Sequence, residues 1–321
     1  MTSLLYCNEQ KDLWNNAVRE SRNATFLFDR NFMDYHRDRF EDCSLLFLNS
    51  KKKCLGVFPA NFNREAQRID SHGGLTYGGL LLTEHTHLPD VKDMLIDLAN
   101  VYKAMGATTL RYKPVPHIYH SYPTEEDLYW LFRAECQLVA RSVSTCIDLR
   151  CPLPFSSLRK RKVKKAKETC LNITEGGADN WKAYWEILTD VLEQHHHTHP
   201  VHSLEEILLL AQHFPSQIRL FTVHGDECLA GCVIFECNDT IHVQYIASND
   251  RGREYGALDY LFDELILHYQ KEGKRYFDFG ISTENGGLIL NEGLLFQKEG
   301  FGGRAICYDT YDIDLNKLAL L

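Results

Sequence analysis

Ionisable and backbone groups fit for chemistry concentrate between Tyr276 and Arg304, in the stretch YFDFGISTENGGLILNEGLLFQKEGFGGR. It opens as an apolar strand over Tyr276 to Phe279 and breaks at Gly280. A polar Ser-Thr-Glu-Asn-Gly-Gly loop follows, and the chain resumes as a helix from Leu288 to Lys298. A strand that ends in a polar loop and runs into a helix offers side chains and backbone N–H groups to a ligand. Here it offers a carboxylate, Glu284, and an ammonium, Lys298. The plain alternatives are a solvated loop acid and a surface lysine placed at a helix end by the dipole.

Three further stretches invite a chemical reading. Arg159, Lys160, Arg161, Lys162, Lys164, Lys165 and Lys167 crowd into SSLRKRKVKKAK, residues 156–167. That run suits the phosphates of a nucleotide, a sugar nucleotide or tRNA; a solvated helix face is the alternative. The run His195-His196-His197-Thr198-His199-Pro200-Val201-His202 suggests a metal. Consecutive histidines splay apart, however, and no Cys or carboxylate follows at zinc-ligand spacing, so no metal is expected. Ser71 to Gly79, SHGGLTYGG, holds four glycines, which weaken a strand and let backbone approach a ligand closely. His72 and Tyr77 are its candidate contacts to a sugar or peptide; a bulged turn used for packing is the alternative.

Composition bounds these readings. The chain has 321 residues, 44% of them hydrophobic, with a net charge of −9. Two domains with a sizeable core are expected, and a general nucleic-acid binder is disfavoured. Eleven cysteines occur singly, without a C-x-x-C pair. They point to reduced thiols and a cytoplasmic protein. No basic leader and no apolar run of spanning length is evident, so no membrane insertion is expected.

The elements that hold these stretches repeat. In the first half a helix (residues 8–22), a hairpin (44–62), a glycine-rich strand region (69–82), a helix (91–105), a strand (108–112), a helix (125–136) and a strand (142–149) follow in order. In the second half come helices (181–193 and 203–213), a hairpin (218–236), a strand (241–247), a helix (255–269), a strand (275–279), a helix (288–298) and a strand region (305–315). Ile147-Asp148-Leu149 recurs as Ile313-Asp314-Leu315, and Leu131-Phe132 as Leu295-Phe296, at nearly the same offset. The matching order implies duplication of one α/β module. The expected fold class is α/β (α+β): two modules, each a mixed, mainly antiparallel sheet flanked by helices. The expected division is 1–150 and 151–321.

This order resembles the GNAT acyltransferase fold used twice, as in the Fem-type peptidyltransferases and their acetyltransferase-like relatives. The resemblance rests on FLFDRNFMDYHRDRFED (26–42), SHGGLTYGG (71–79), SSLRKRKVKKAK (156–167), PVHSLEE (200–206), QYIASND (244–250), and FDFG with QKEGFG (277–280 and 297–302). It implies acyl transfer to an amine or hydroxyl of a cell-wall or surface-glycan precursor. The donor would be acetyl-CoA or another acyl-CoA, or aminoacyl-tRNA in the Fem-type branch. A third reading is a non-catalytic binding module that has lost the donor loop.

The resemblance also assigns roles. The donor site falls in the second half, on Tyr245, Ile246 and Ala247 and on the pyrophosphate loop around Arg253, Tyr255, Gly256 and Ala257. Leu258 departs from the small residue usual there. Backbone N–H groups near Gln244 to Asn249 would serve an oxyanion. Glu284 is the preferred base. Lys298 matches a family lysine facing donor charge, although Gln297 replaces the usual Phe beside it. The acceptor side would use His72, Tyr77, Lys113, His117, Tyr119 and His120 of the first half, with His199 and His202 of the second.

Overall fold

The computed structural model describes residues 1–196 and 198–321; the side chains of His195 and His196 lie outside the described set. The chain forms two compact units, Met1–Ser142 with Glu284–Ile289 and Cys307–Leu321, and Val143–Thr283 with Leu290–Ile306. The chain thus enters the second unit at Val143 rather than near residue 150, and its C-terminal strand ends in the first.

The first unit runs β1 (Thr2–Leu5), α1 (Lys11–Arg19), α2 (Arg30–Met33), β2 (Leu45–Leu48), β3 (Cys54–Phe58), β4 (Asn61–Asn63), β5 (Arg68–Asp70), β6 (Leu81–Leu82), α3 (Leu88–Ala104), β7 (Thr109–Tyr112) and α4 (Glu126–Arg133). β8 (Gln137–Asp148) then leads into the second unit. β1, β2, β3 and β6 pair side by side, and β4, β5 and β7 form a second set. The glycine-rich segment expected as a strand region is a loop between β5 and β6, buried except around Gly73, Gly74 and Thr76. Apolar residues of α3 at helical spacing, Val91, Met94, Leu95, Leu98 and Tyr102, close over Leu45, Phe47, Phe58 and Tyr112.

The second unit continues with α5 (Ser157–Lys167), β9 (Asn172–Glu175), α6 (Ala178–His196), α7 (Leu204–His213), β10 (Ile218–His224), β11 (Cys228–Cys237), β12 (Thr240–Ser248), α8 (Asp250–Tyr255), α9 (Ala257–Lys271) and β13 (Tyr276–Ile281). The short strands β14 (Thr283–Glu284) and β15 (Ile289–Leu290), α10 (Glu292–Glu299), β16 (Arg304–Asp314) and α11 (Leu315–Leu318) complete the chain. The helix expected from Leu288 starts at Glu292, because Asn291 caps it by accepting from Leu294 N.

Its strands lie in the order β8-β13-β12-β11-β10-β9. All neighbours are antiparallel except β12 and β13. The mixed, mainly antiparallel sheet expected from the sequence is therefore present. α6 and α9 both pack on its central strands. α9 covers a core of Phe221, Val223, Ala230, Cys232, Ile241, Val243, Phe277 and Phe279.

Candidate active site in the second unit

The site begins where two strands part. β12 and β13 pair in parallel over only three positions, Thr240↔Tyr276, Ile241↔Phe277 and His242↔Asp278. Each strand carries a local reason to diverge. On β12, Tyr245 pairs with Val233 and Val243 with Ile234, so Gln244 is an extra residue and the strand bulges. On β13, Gly280 sits at φ 76°, left-handed backbone that favours glycine, and the register against β8 shifts between Asp278 and Ile281.

A cavity of about 300 Å³ opens beside this fork. Ile246 and Ala247 of β12, Phe279 of β13 and Phe301 supply apolar wall. Arg159, Lys162, Arg253 and Lys298 also line it, against one carboxylate among the described lining residues, Asp259. No side chain caps the N-terminus of α9, and its first-turn residues Leu258 and Asp259 are in the lining. An uncapped helix start beside an excess of cations favours an anion.

Lys298 is the most constrained of these cations. It is 5% exposed, and its Nζ donates to the carbonyl oxygens of Gly280 at 2.9 Å and Ile281 at 2.8 Å. β13 has left β12 at this point, so those carbonyls find a side-chain donor. Burial lowers its pKa to about 8, while the carboxylate of Asp278 acts to raise it.

Across the cavity, α5 is fixed by a buried pair. Arg159 Nη1 lies 2.7 Å from Asp259 Oδ1, and both side chains are under 10% exposed. Ser156 starts the helix by accepting from Arg159 N. Gly256 separates α8 from α9 at φ 75°, and a Cβ there would lie 3.0 Å from the carbonyl oxygen of Lys162. The basic run is therefore divided. Arg159 is buried, Lys165 donates to the carbonyl of Glu254, and Lys167 pairs with Asp263 and Glu264. Lys160, Arg161 and Lys164 remain exposed.

The expected donor residues separate. Ile246, Ala247 and Arg253 line the cavity. Arg253 donates to the carbonyl of Ser248 at 2.6 Å and pairs with Asp250, so its guanidinium already braces the turn. Tyr245 does not line it: the bulge at Gln244 turns Tyr245 toward His202, whose Nδ1 is 2.6 Å from the Tyr245 hydroxyl. Ala257 is fully buried in the core, Gly256 makes the turn, and Tyr255 packs at the core edge.

Several expected acceptor contacts are interior. His72, Tyr77 and Tyr119 are 3%, 3% and 1% exposed. Tyr119 hydrogen-bonds Tyr308, and Tyr77 packs on Phe28 and Tyr119, so these rings build the first unit rather than a ligand platform. The Lys113 ammonium is spent on the carbonyls of His72 and Leu75, and burial lowers its pKa to about 8. His120 holds the carbonyl of Val115. His117 is exposed. His202 is buried against Tyr245 instead of standing in an acceptor pocket, and exposed His199 lies 3.1 Å from Glu193. Glu284 is exposed and belongs to the first unit, whereas Lys298 belongs to the second. The metal reading of the histidine run falls partly outside the described residues; among those described, no cluster suits a metal ion.

One group in this region was missed from the sequence. Asp278, fully buried on β13, accepts from the Ser144 hydroxyl, and its other oxygen is 2.8 Å from His242 Nδ1. A carboxylate between Phe277 and Phe279 in an apolar strand was the available signal, since a buried charge requires partners.

Comparison with known proteins agrees with this architecture. Residues 157–285 match the family model described as an acetyltransferase (GNAT) domain. Among solved structures, FemX superposes with a TM-score of 0.70 at 11% identity, covering 99% of this chain and 98% of that one. The L-PGS structure from Bacillus licheniformis gives 0.60 at 11% identity, over 97% and 93% of the two chains. The C-terminal domain of a putative lysylphosphatidylglycerol synthetase from Agrobacterium fabrum gives 0.59 at 12% identity, over 98% and 94%. No curated protein matches the sequence.

Proposed function

We propose that this chain, which carries a GNAT-type acyltransferase domain over residues 157–285, moves an acyl group from a phosphate-bearing carrier to an amine or hydroxyl, with the donor in the second unit. The observation that carries this reading is the fork between β12 and β13, with its cationic cavity and the buried Lys298 ammonium at its wall. Acyl-CoA is the preferred donor. Its phosphates would meet Arg253, Lys162 and the uncapped start of α9, and its acyl end would lie along Ile246, Ala247 and Phe279. Lys298 would face the charge that develops on the attacked carbonyl. A cell-wall or surface-glycan precursor remains the proposed acceptor, and the cysteines, which form no disulfide among the described residues, fit a reducing, cytoplasmic setting.

Titration of the protein with acetyl-CoA by calorimetry tests the donor. Binding is expected, weakened about tenfold, or roughly 1.4 kcal/mol, by Arg253→Ala. Absence of heat and of any thermal shift in the wild type removes the acyl-CoA reading.

A second reading, aminoacyl-tRNA as donor, is favoured by the exposed α5 face of Lys160, Arg161 and Lys164. Binding to bulk tRNA would then fall steeply with salt. Neutralising those three residues would weaken it at least tenfold and leave acetyl-CoA binding unchanged. Arg159, being buried, is unsuited to that test.

A further inference from the structure

We infer that His242, oriented by Asp278 and Ser144, is the group that takes the proton from the attacking acceptor; this rests on the acyl-transfer reading above. The observations stand at the fork itself. His242 and Asp278 are the last paired residues before β12 and β13 separate. Asp278 is fully buried, and Ser144 of β8 donates to one of its oxygens. Its other oxygen lies 2.8 Å from His242 Nδ1, so the carboxylate accepts a hydrogen bond from Nδ1–H and leaves Nε2 as the basic nitrogen. The imidazole is 13% exposed, whereas the carboxylate that orients it is closed to solvent.

Gly280 links this dyad to the cavity wall. Its carbonyl receives the Lys298 ammonium, and a Cβ built on it would come within 3.4 Å of His242 Cε1. A carbonyl carbon seated at the fork would therefore have a cation and an oriented imidazole next to the same residue. Among the described residues, Lys298 on α10 and Cys146 on β8 both feel the Asp278 charge.

The step balances without a redox partner. The acceptor nitrogen or oxygen forms a bond to the acyl carbon, and its proton passes to His242 Nε2. The carbon–sulfur bond of the thioester breaks, and the electron pair leaves on sulfur. The thiolate takes a proton from solvent, and His242 returns its proton to solvent. Glu284, exposed in the first unit, is not needed for this step.

Two measurements test the assignment. Treatment of the folded wild type with diethyl pyrocarbonate, read by peptide mass spectrometry, should carbethoxylate His242. An unmodified His242 in protein whose exposed His199 and His213 are modified overturns the proposal. The second measurement is turnover of acetyl-CoA with glycinamide, followed by loss of thioester absorbance. His242→Gln should retain acetyl-CoA affinity within about twofold, lower kcat about a hundredfold or more, and abolish the acid limb of the pH–rate profile. A His242→Gln protein with kcat within about threefold of the wild type and its acid limb intact overturns it. A wild type inert toward acetyl-CoA counts against the acyl-CoA reading instead, and the carbethoxylation result then decides the assignment of His242.

Discussion

Lys298 Nζ donates to the carbonyl oxygen of Gly280 at 2.9 Å, at the point where β13 has turned away from its neighbour. Burial holds this lysine down to about 8 from the ordinary 10.5. Below the folded value both states carry the proton, and its burial costs stability. Between the two values the unfolded chain binds a proton that the folded chain does not, so stability rises with pH there. Relative to Lys298→Met, the wild type should gain up to roughly 3 kcal/mol across that window, at about 1.4 kcal/mol per unit. Denaturant melts at stepped pH check this. The same titration should give activity an alkaline limb near pH 8, absent in Lys298→Met, whose kcat should fall at least tenfold.

The ion pair between Arg159 and Asp259 is buried on both sides. Removing one partner leaves a charge in the interior. Arg159→Met should therefore cost about 3–5 kcal/mol, measured by urea unfolding. The double change Arg159→Met with Asp259→Leu should recover much of the loss, because no orphan charge remains. A single variant as stable as the wild type would show that Asp259 finds another partner, and Lys162, 3.9 Å away, is the candidate.

In the first unit, Asp127 accepts from the Tyr112 hydroxyl at 2.5 Å, and burial raises its carboxyl to about 6. A raised carboxyl stabilises the fold fully below its unfolded value of 3.8, and that contribution is lost as pH rises through 6. Asp127→Asn keeps an acceptor for Tyr112 and removes the titration. The wild type should lose stability relative to this variant between pH 4 and 6, and thermal melts at those two values suffice to see it.

Gly280→Ala should cost about 1–3 kcal/mol, because the left-handed backbone at φ 76° strains any other residue. The strain falls on the carbonyl that seats Lys298, so kcat should drop more than acetyl-CoA affinity. Equal changes in kcat and KM would disconnect the turn from the chemistry.

Much of the second unit was legible. Ser156 ahead of a run of Lys, Arg and Ala announces a capped helix, and α5 begins and ends where that pattern does. The apolar stretches of β10 to β13 read as strands because they alternate with Gly, Asn and Asp turns. The missed features depend on distances that a linear pattern does not carry. Ser144, His242 and Asp278 meet from three strands, with 36 and 134 positions separating their contacts. Tyr77 and Tyr119 looked suited to a saccharide because aromatic rings serve binding platforms and cores equally well. Leu288, Ile289 and Leu290 read as the start of a helix, but the capping side chain belongs to Asn291, and the three apolar residues stand exposed before it.

The seat of Lys298 is made from main-chain oxygens of Gly280 and Ile281. A change in the exposed Ile281 side chain therefore leaves the ammonium anchored as before. Descendants of this sequence can drift at that position without first rebuilding the group that holds the charge.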